Sequence, residues 1–379
     1  MKNESRIKIT IGSIVHFIGV SYFDLLIFAY LYFAYLKKYS EYSTVDICDK
    51  YIYDIQNHTL LDVLKTHSIC DYKYEYISLF DRNLKLIKSK YFSEFLYEIN
   101  SLNSKEVIIY LIQLLELEAN EINLSNNLLE FIRFLYKTNI DRKNIYFLNF
   151  LNQNNTIIDD LIISSSKHIT NVVSNNQQKI VGKILIDAYD FTDFDSFVFD
   201  YNNNVRILKH EQYDFVFSVF PWFVKNFNSD IIDLSLNMKY SYFDYALIEL
   251  ISSKINTDGI GITLIPESLF INQKFIKDRT NLLKLDIIDS IICLPKGAVD
   301  NYSGVVYILI LRKESVNINC YNFSEYYKKM SNKKVNIDLN KFIEKYQKLD
   351  SNIFSRIKIT QLKEMDYTLN IREIIKSEG

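Results

Sequence analysis

The chain of 379 residues carries 44 basic and 46 acidic side chains, a formal net charge of −2, and is 48% apolar and 24% charged. That balance excludes collagen-like, Pro/Gly-rich disordered and disulfide-scaffold classes, and it supplies no global field toward nucleic acid or an anionic membrane. Only three prolines and eight glycines are present, against roughly 19 and 27 at average usage, so turns rest on Asn, Asp and Ser and each Gly or Pro is informative.

The run from Ile11 to Leu36, IGSIVHFIGVSYFDLLIFAYLYFAYL, approaches the roughly 20 residues that span a bilayer. Asp24 sits in its middle and His16 near its start. A mid-membrane carboxylate costs at least about 2.5 kcal/mol, and no small-residue cleavage site follows. The run reads as a buried core helix, with a membrane anchor or signal as the rival. Apolar positions then recur at three and four residues as far as Thr138, as in EVIIYLIQLLELEANEI and NNLLEFIRFLYKT, which predicts an all-helical domain over 1–140.

Beyond it, short β-rich runs alternate with helical ones: KNIYFLNF, QKIVGKILI, YDFVFSV, GIGITLI, DIIDSIICL and SGVVYILILRK are predicted strands. YSYFDYALIELISSKI and NQKFIKDRTNLLKL are predicted amphipathic helices. The alternation predicts an α/β sheet domain over 141–325, followed by a polar helical tail over 326–379. Charge is uneven: 151–250 holds 7 basic and 13 acidic residues, 301–379 holds 14 and 9, with Lys328, Lys329, Lys333 and Lys334 close together. Such a run is ordinarily a solvated face. Cys48, Cys70, Cys293 and Cys320 form no C-x-x-C pair, and His16, His58, His67, His168 and His210 are scattered. Reduced structural cysteines and no metal site are expected.

Pro221, Pro266 and Pro295 fall in the α/β half. Asp258-Gly259-Ile260-Gly261 leads to Pro266 and Leu269-Phe270. Arg279 follows in a helix, then Ile292-Cys293-Leu294-Pro295-Lys296-Gly297, then Ser303-Gly304 through Arg312-Lys313. In order and spacing these residues resemble the second half of the catalytic domain of adenine-N6 DNA methyltransferases, specifically the modification subunits of type I restriction-modification systems. DLLIFAYLYFAYLKKYSEY is similar to the first-domain helix of those subunits, and Asp366-Tyr367-Thr368-Leu369-Asn370-Ile371-Arg372 to their closing Tyr-x-Leu-Asn pattern. The resemblance implies an α/β, Rossmann-like S-adenosylmethionine-dependent methyltransferase fold preceded by an all-helical N-terminal domain.

It also implies a chemistry whose parts are altered here. The family writes its cofactor turn as Asp-Pro-x-x-Gly-x-Gly, where glycines admit the cofactor against the backbone. By spacing, the counterpart is Phe147-Leu148-Asn149-Phe150-Leu151-Asn152-Gln153, with neither glycine nor carboxylate. IVGKILID, taken as the next strand, keeps Gly182 but places Ile184 at the ribose-binding acidic position, with Asp187 or Asp190 as substitutes in another register. Aligning Asp214 sets Ser218-Val219-Phe220-Pro221-Trp222 where Asn-Pro-Pro-Phe stands in the family. Val219 lacks the acceptor for the target amine, while Trp222 keeps an aromatic ring for a flipped base, unless FPWF is simply a packed strand-to-loop turn. The acidic excess in 151–250 opposes DNA phosphates at such a pocket.

The expectation is therefore a non-catalytic, cytoplasmic methyltransferase-like subunit of a restriction-modification or related defence assembly, with no cofactor. It would bind another protein subunit, a specificity or catalytic one, since the chain ends at Gly379 without room for a separate target-recognition domain. DNA would be reached through that partner, or through Lys328, Lys329, Lys333 and Lys334. The rival expectation is an active adenine-N6 methyltransferase that uses S-adenosylmethionine with divergent motifs. If the apolar run is core, the protein stays in the soluble fraction of a detergent-free lysate; recovery only in the membrane pellet would overturn the core assignment.

Overall fold

The computed structural model describes residues 11–12, 14–15, 19–39, 44–57, 59–60, 73–119, 122–152, 155–199, 212–223, 237–329, 335–362 and 367–378. The chain divides into two compact units, Met1–Ala119 with Ile184–Asp190, and Asn120–Lys183 with Phe191–Gly379.

In the first unit the apolar run becomes α1 (Tyr22–Lys38), capped by Ser21, whose Oγ accepts the Asp24 N–H at 3.1 Å. Asp24 in the first turn and Lys37 and Lys38 in the last match the helix dipole. A helix apolar on every side belongs in a core, and Leu25, Leu26, Ile27, Phe28, Leu31, Tyr32 and Tyr35 are buried. Around it stand α2 (Thr44–Gln56), α3 (Lys73–Arg82), α4 (Lys90–Asn100) and α5 (Ser104–Ala119). The tyrosines that give the run its polarity are satisfied internally. Tyr35 donates to Asp54 Oδ2 at 2.6 Å, and Tyr51 to the Phe28 carbonyl at 2.8 Å. Asp24 is buried and receives Arg82 and, at 3.0 Å, Asn83 Nδ2. No helix among the described residues is long and apolar enough to cross a membrane.

The second unit opens with α6 (Asn126–Asn139), capped by Ser125. Its sheet comprises β1 (Ile145–Phe150), β2 (Ser166–Val173), β3 (Phe194–Val198), β4 (Tyr213–Ser218), β5 (Ile255–Pro266), β6 (Ile288–Cys293), β7 (Val306–Leu311) and β8 (Asn317–Asn322). After the two-stranded ribbon β9 (Tyr327–Lys329) and β10 (Val335–Ile337) comes β11 (Phe354–Lys358), which completes the sheet. The order is β3-β2-β1-β4-β5-β7-β6-β8-β11. The strands β3, β2, β1, β4 and β5 are parallel, and β7 runs antiparallel between β5 and β6. Order reverses between β1 and β4, so the crevice beyond their C-terminal ends is where such a sheet binds ligands.

Helices α7 (Asp160–Ser165), α8 (Asn176–Ala188), α9 (Phe243–Lys254) and α10 (Ile276–Leu283) connect the strands, and α11 (Leu339–Lys348) and α12 (Ile371–Glu378) follow in the C-terminal region. The doubly wound α/β architecture anticipated from the sequence is present.

Two elements differ from expectation. QKIVGKILI lies in α8, not in a strand, because Asn175 caps it by accepting the Gln178 N–H at 2.9 Å and Ser174 also binds the Gln178 side chain. The strand in that place is SKHITNVV, unrecognised because its inward residues include His168, Thr170 and Asn171, all buried yet polar. The C-terminal region is not wholly helical, since it supplies β11 at the sheet edge through pairs such as Ile318 with Ile357.

At the opposite, N-terminal ends of the central strands, Asp214 is a clamp. It accepts Arg142 at 2.5 Å, the Tyr146 N–H at 2.8 Å, and Asn256. In the first unit, Arg82→Ala removes the cationic partner of a buried carboxylate and is expected to lower unfolding stability by about 1–3 kcal/mol, read as a shifted midpoint in urea denaturation.

Candidate functional site

The turn after β1 begins with Leu151 at φ 51, in the left-handed region usually left to glycine. Its N–H donates to Val172 O at 2.7 Å and its side chain is buried. On the α8 side of the sheet lies a chain of buried amides. Asn152 Nδ2 donates to Asn149 Oδ1 at 3.0 Å, and Asn149 Nδ2 donates to Asn171 Oδ1 at 2.8 Å. Asn155 adjoins them, and its Oδ1 and Asn171 Nδ2 are buried without hydrogen-bond partners. Gly182 is what admits them, since a Cβ there would stand 2.3 Å from Asn171 Nδ2 and 3.6 Å from Asn155 Oδ1. Gly182 therefore serves an asparagine rather than a strand beside a cofactor. Phe147 is buried and stacked on Phe215, with ring centroids 5.0 Å apart; Gln153 lies outside the described residues.

The acidic position of the resemblance belongs at the end of β2, which is followed by Ser174 and Asn175, both engaged with Gln178 of α8. Ile184 falls inside α8, so the proposed register placed that position on a helix. Asp187 and Asp190 lie in the first unit, where Asp187 accepts the Tyr30 hydroxyl at 2.5 Å and Asp190 pairs with Lys37 at 3.4 Å.

Beyond β3, Phe199 donates its N–H to Val173 O at 2.7 Å. Its ring meets Phe150 edge-on at 5.7 Å and Phe243 at 6.4 Å. Phe150, Phe199, Phe220 and Phe243 belong to one buried cluster, which occupies the ends of β1, β3 and β4. Phe199 was invisible as a site residue, being one phenylalanine in the acidic run FTDFDSFVFD.

At the end of β4, Ser218, Val219 and Phe220 are buried, and Ser218 Oγ lacks a partner. Trp222 is anchored rather than open: its Nε1 donates to Leu264 O at 2.9 Å and its ring stands edge-on to Tyr302 at 4.9 Å. Pro221 is half-buried between them in sequence. Past the end of β5, Glu267 receives Arg372 Nη2 at 2.7 and 2.9 Å and the Tyr307 hydroxyl at 3.0 Å. Leu369 N donates to Phe270 O at 3.2 Å. This is the work of the closing Tyr-x-Leu-Asn segment, of which Asp366 is outside the described residues. Nearby Cys293 is buried, and burial pushes its thiol up to about 12, an inert environment for a nucleophile. Arg279 is fully buried, its Nη1 donating to Asn272 O at 3.1 Å.

Of the lysine cluster, Lys328 and Lys329 lie exposed on β9, and Lys328 pairs with Asp338 at 3.6 Å; Lys333 and Lys334 fall outside the described residues. Among the described residues no three His, Cys, Asp or Glu side chains are placed to hold a metal ion.

A family profile described as N-6 DNA Methylase matches residues 161–379, more than half of the sequence. The chain belongs to the N-6 DNA methylase family. A search of curated proteins returns no match to the sequence. Among solved structures, a type I restriction-modification methyltransferase subunit from Streptococcus thermophilus is 14% identical, with a TM-score of 0.70, over 96% of this chain and 94% of that one. A chain from a study of assembly and conformational transition of the type I restriction-modification system is 12% identical, with a TM-score of 0.63, over 95% and 88%. A modification subunit of a type I restriction enzyme, described as putative, from Vibrio vulnificus is 12% identical, with a TM-score of 0.56, over 72% and 65%. At such identities the likeness is one of fold, and it is the fold of S-adenosylmethionine-dependent methyltransferases.

The residues at the crevice of this family member differ from the family's cofactor turn. Leu151, Phe199, Asn149 and Asn171 are buried there, and β2 is followed by Ser174 and Asn175 rather than by a carboxylate. Gly182→Ala is expected to destabilise the protein by about 1–3 kcal/mol through overpacking. Asn171→Ala in the same chain should recover part of that loss, and thermal unfolding of the two singles and the double reads the coupling.

Proposed function

We propose that this chain is a non-catalytic member of the N-6 DNA methylase family that acts by protein association in a restriction-modification or related defence assembly in the cytoplasm. The observation that supports this reading is the burial of Leu151 and Phe199 just beyond the ends of β1 and β3, the strand ends at which the family places its methyl donor. Val219 in the target-amine position removes a hydrogen bond worth about 1–3 kcal/mol, and more where charge develops in a transition state. Catalysis must lower a barrier by at least about 8 kcal/mol, and neither the donor site nor the acceptor site is equipped for it.

The likeness to subunits of type I assemblies supports a role beside other subunits, specificity or catalytic, with sequence-specific DNA reading supplied by the partner. Isothermal titration of the full-length protein with S-adenosylmethionine is expected to give no binding heat, and incubation with unmodified DNA and labelled donor no methyl incorporation. Micromolar binding or adenine methylation would establish the active rival instead.

A further inference from the structure

Along α10, one face of the second unit gathers cations that the linear sequence disperses. Lys274 lies just before α10, Lys277 within it and Lys284 at its end, all exposed. Lys277 and Lys284 stand roughly 10 Å apart along the axis at about 1.5 Å per residue. Between them Asn281 Nδ2 donates to the carbonyl of Lys239 at 3.1 Å, which brings a fourth exposed lysine to the same helix. The single carboxylate between Gln273 and Leu285 is Asp278, and it is buried and turned inward, accepting the N–H groups of Ser241 and Tyr242 at 2.8 and 3.0 Å. None of the four lysines forms an ion pair among the described residues.

An aromatic platform adjoins this stripe. The Lys274 ammonium lies 4.5 Å from the Phe275 ring centroid, and Phe275 stacks on Phe223 at 6.4 Å with the planes 28° apart. Phe223 is 38% exposed. It is held at φ 63, with its N–H donated to Asp244 Oδ1 at 2.9 Å. Ile276 is exposed beside it.

Unneutralised lysines attract phosphates, and an exposed ring beside them offers a surface for the face of a base. A duplex supplies the phosphates but hides its base faces; an unpaired strand presents both. We propose that this face binds a single-stranded nucleic acid, with phosphates on Lys239, Lys274, Lys277 and Lys284 and a base stacked on Phe223. Phe223 directly follows Trp222 in the turn after β4, and the lysines extend from it along α10.

The test is fluorescence anisotropy of the full-length protein with a labelled oligothymidylate and with a duplex of equal length, each titrated across a salt series. The single strand should bind more tightly. Replacing all four lysines by Gln should flatten the slope of log affinity against log salt by about 2.8, at about 0.7 per phosphate contact. Phe223→Ala should weaken single-strand binding about 5-fold or more with the slope unchanged, while Phe223→Tyr retains it. An unchanged slope in the lysine variant, equal affinity for duplex with no effect of Phe223→Ala, or loss of binding on replacing Lys328 and Lys329 instead would each overturn the proposal.

Discussion

Protein interiors are packed to the density of organic crystals, so the volume beyond the ends of β1, β2 and β4 is occupied by side chains or by a ligand but not by both. Here a leucine in a left-handed turn, a row of hydrogen-bonded asparagines and a phenylalanine cluster lie at those strand ends. Beside them a glycine seats an amide, a tryptophan is fastened to a strand carbonyl, and the polar residues after β2 cap a helix.

The rest of the sheet is maintained with no loss of order. Asp214 holds the N-terminal ends of the central strands, and Glu267 with Arg372 and Tyr307 fastens the C-terminal segment across the other end. Both are charge-assisted contacts in which a buried carboxylate meets a partly exposed arginine, and such bonds are stronger than neutral ones. Asp214 occupies a motif position by alignment, yet its carboxylate is committed to backbone and side-chain donors. A motif residue can persist for the strand register it secures.

Which parts were legible in the sequence depended on whether their cause was local. SGVVYILILRK reads as a buried strand because every inward and outward position is apolar. KIVGKILI is also rich in Ile and Val yet is a helix, because the deciding features are the preceding Asn175 cap and the Ser174–Gln178 bond. SKHITNVV hid because its buried face is polar, the asparagine and histidine finding partners on other segments. Phe199 carried no mark of its own; its role depends on Phe150 and Phe243, distant in sequence. The lysines at 274, 277 and 284 form no run, and only helical spacing and the Asn281 contact with Lys239 gather them. Lys328 and Lys329 are consecutive in sequence but point to opposite sides of their strand, and Lys328 is already paired with Asp338.

The seating of Asn171 against Gly182 bears on how such a protein changes over generations. Emptying the crevice requires trimming Leu151, Phe199 and the asparagines together, since each rests on the others or on the same strands. A single step toward smaller residues opens a void, and large-to-small core changes cost about 2–5 kcal/mol, a large part of the 5–15 kcal/mol that stabilises an ordinary domain. Changes at these positions are therefore coupled: the cost of one depends on whether its neighbour has already changed. Packing of this kind makes the group of side chains, rather than any one of them, the unit that change acts on.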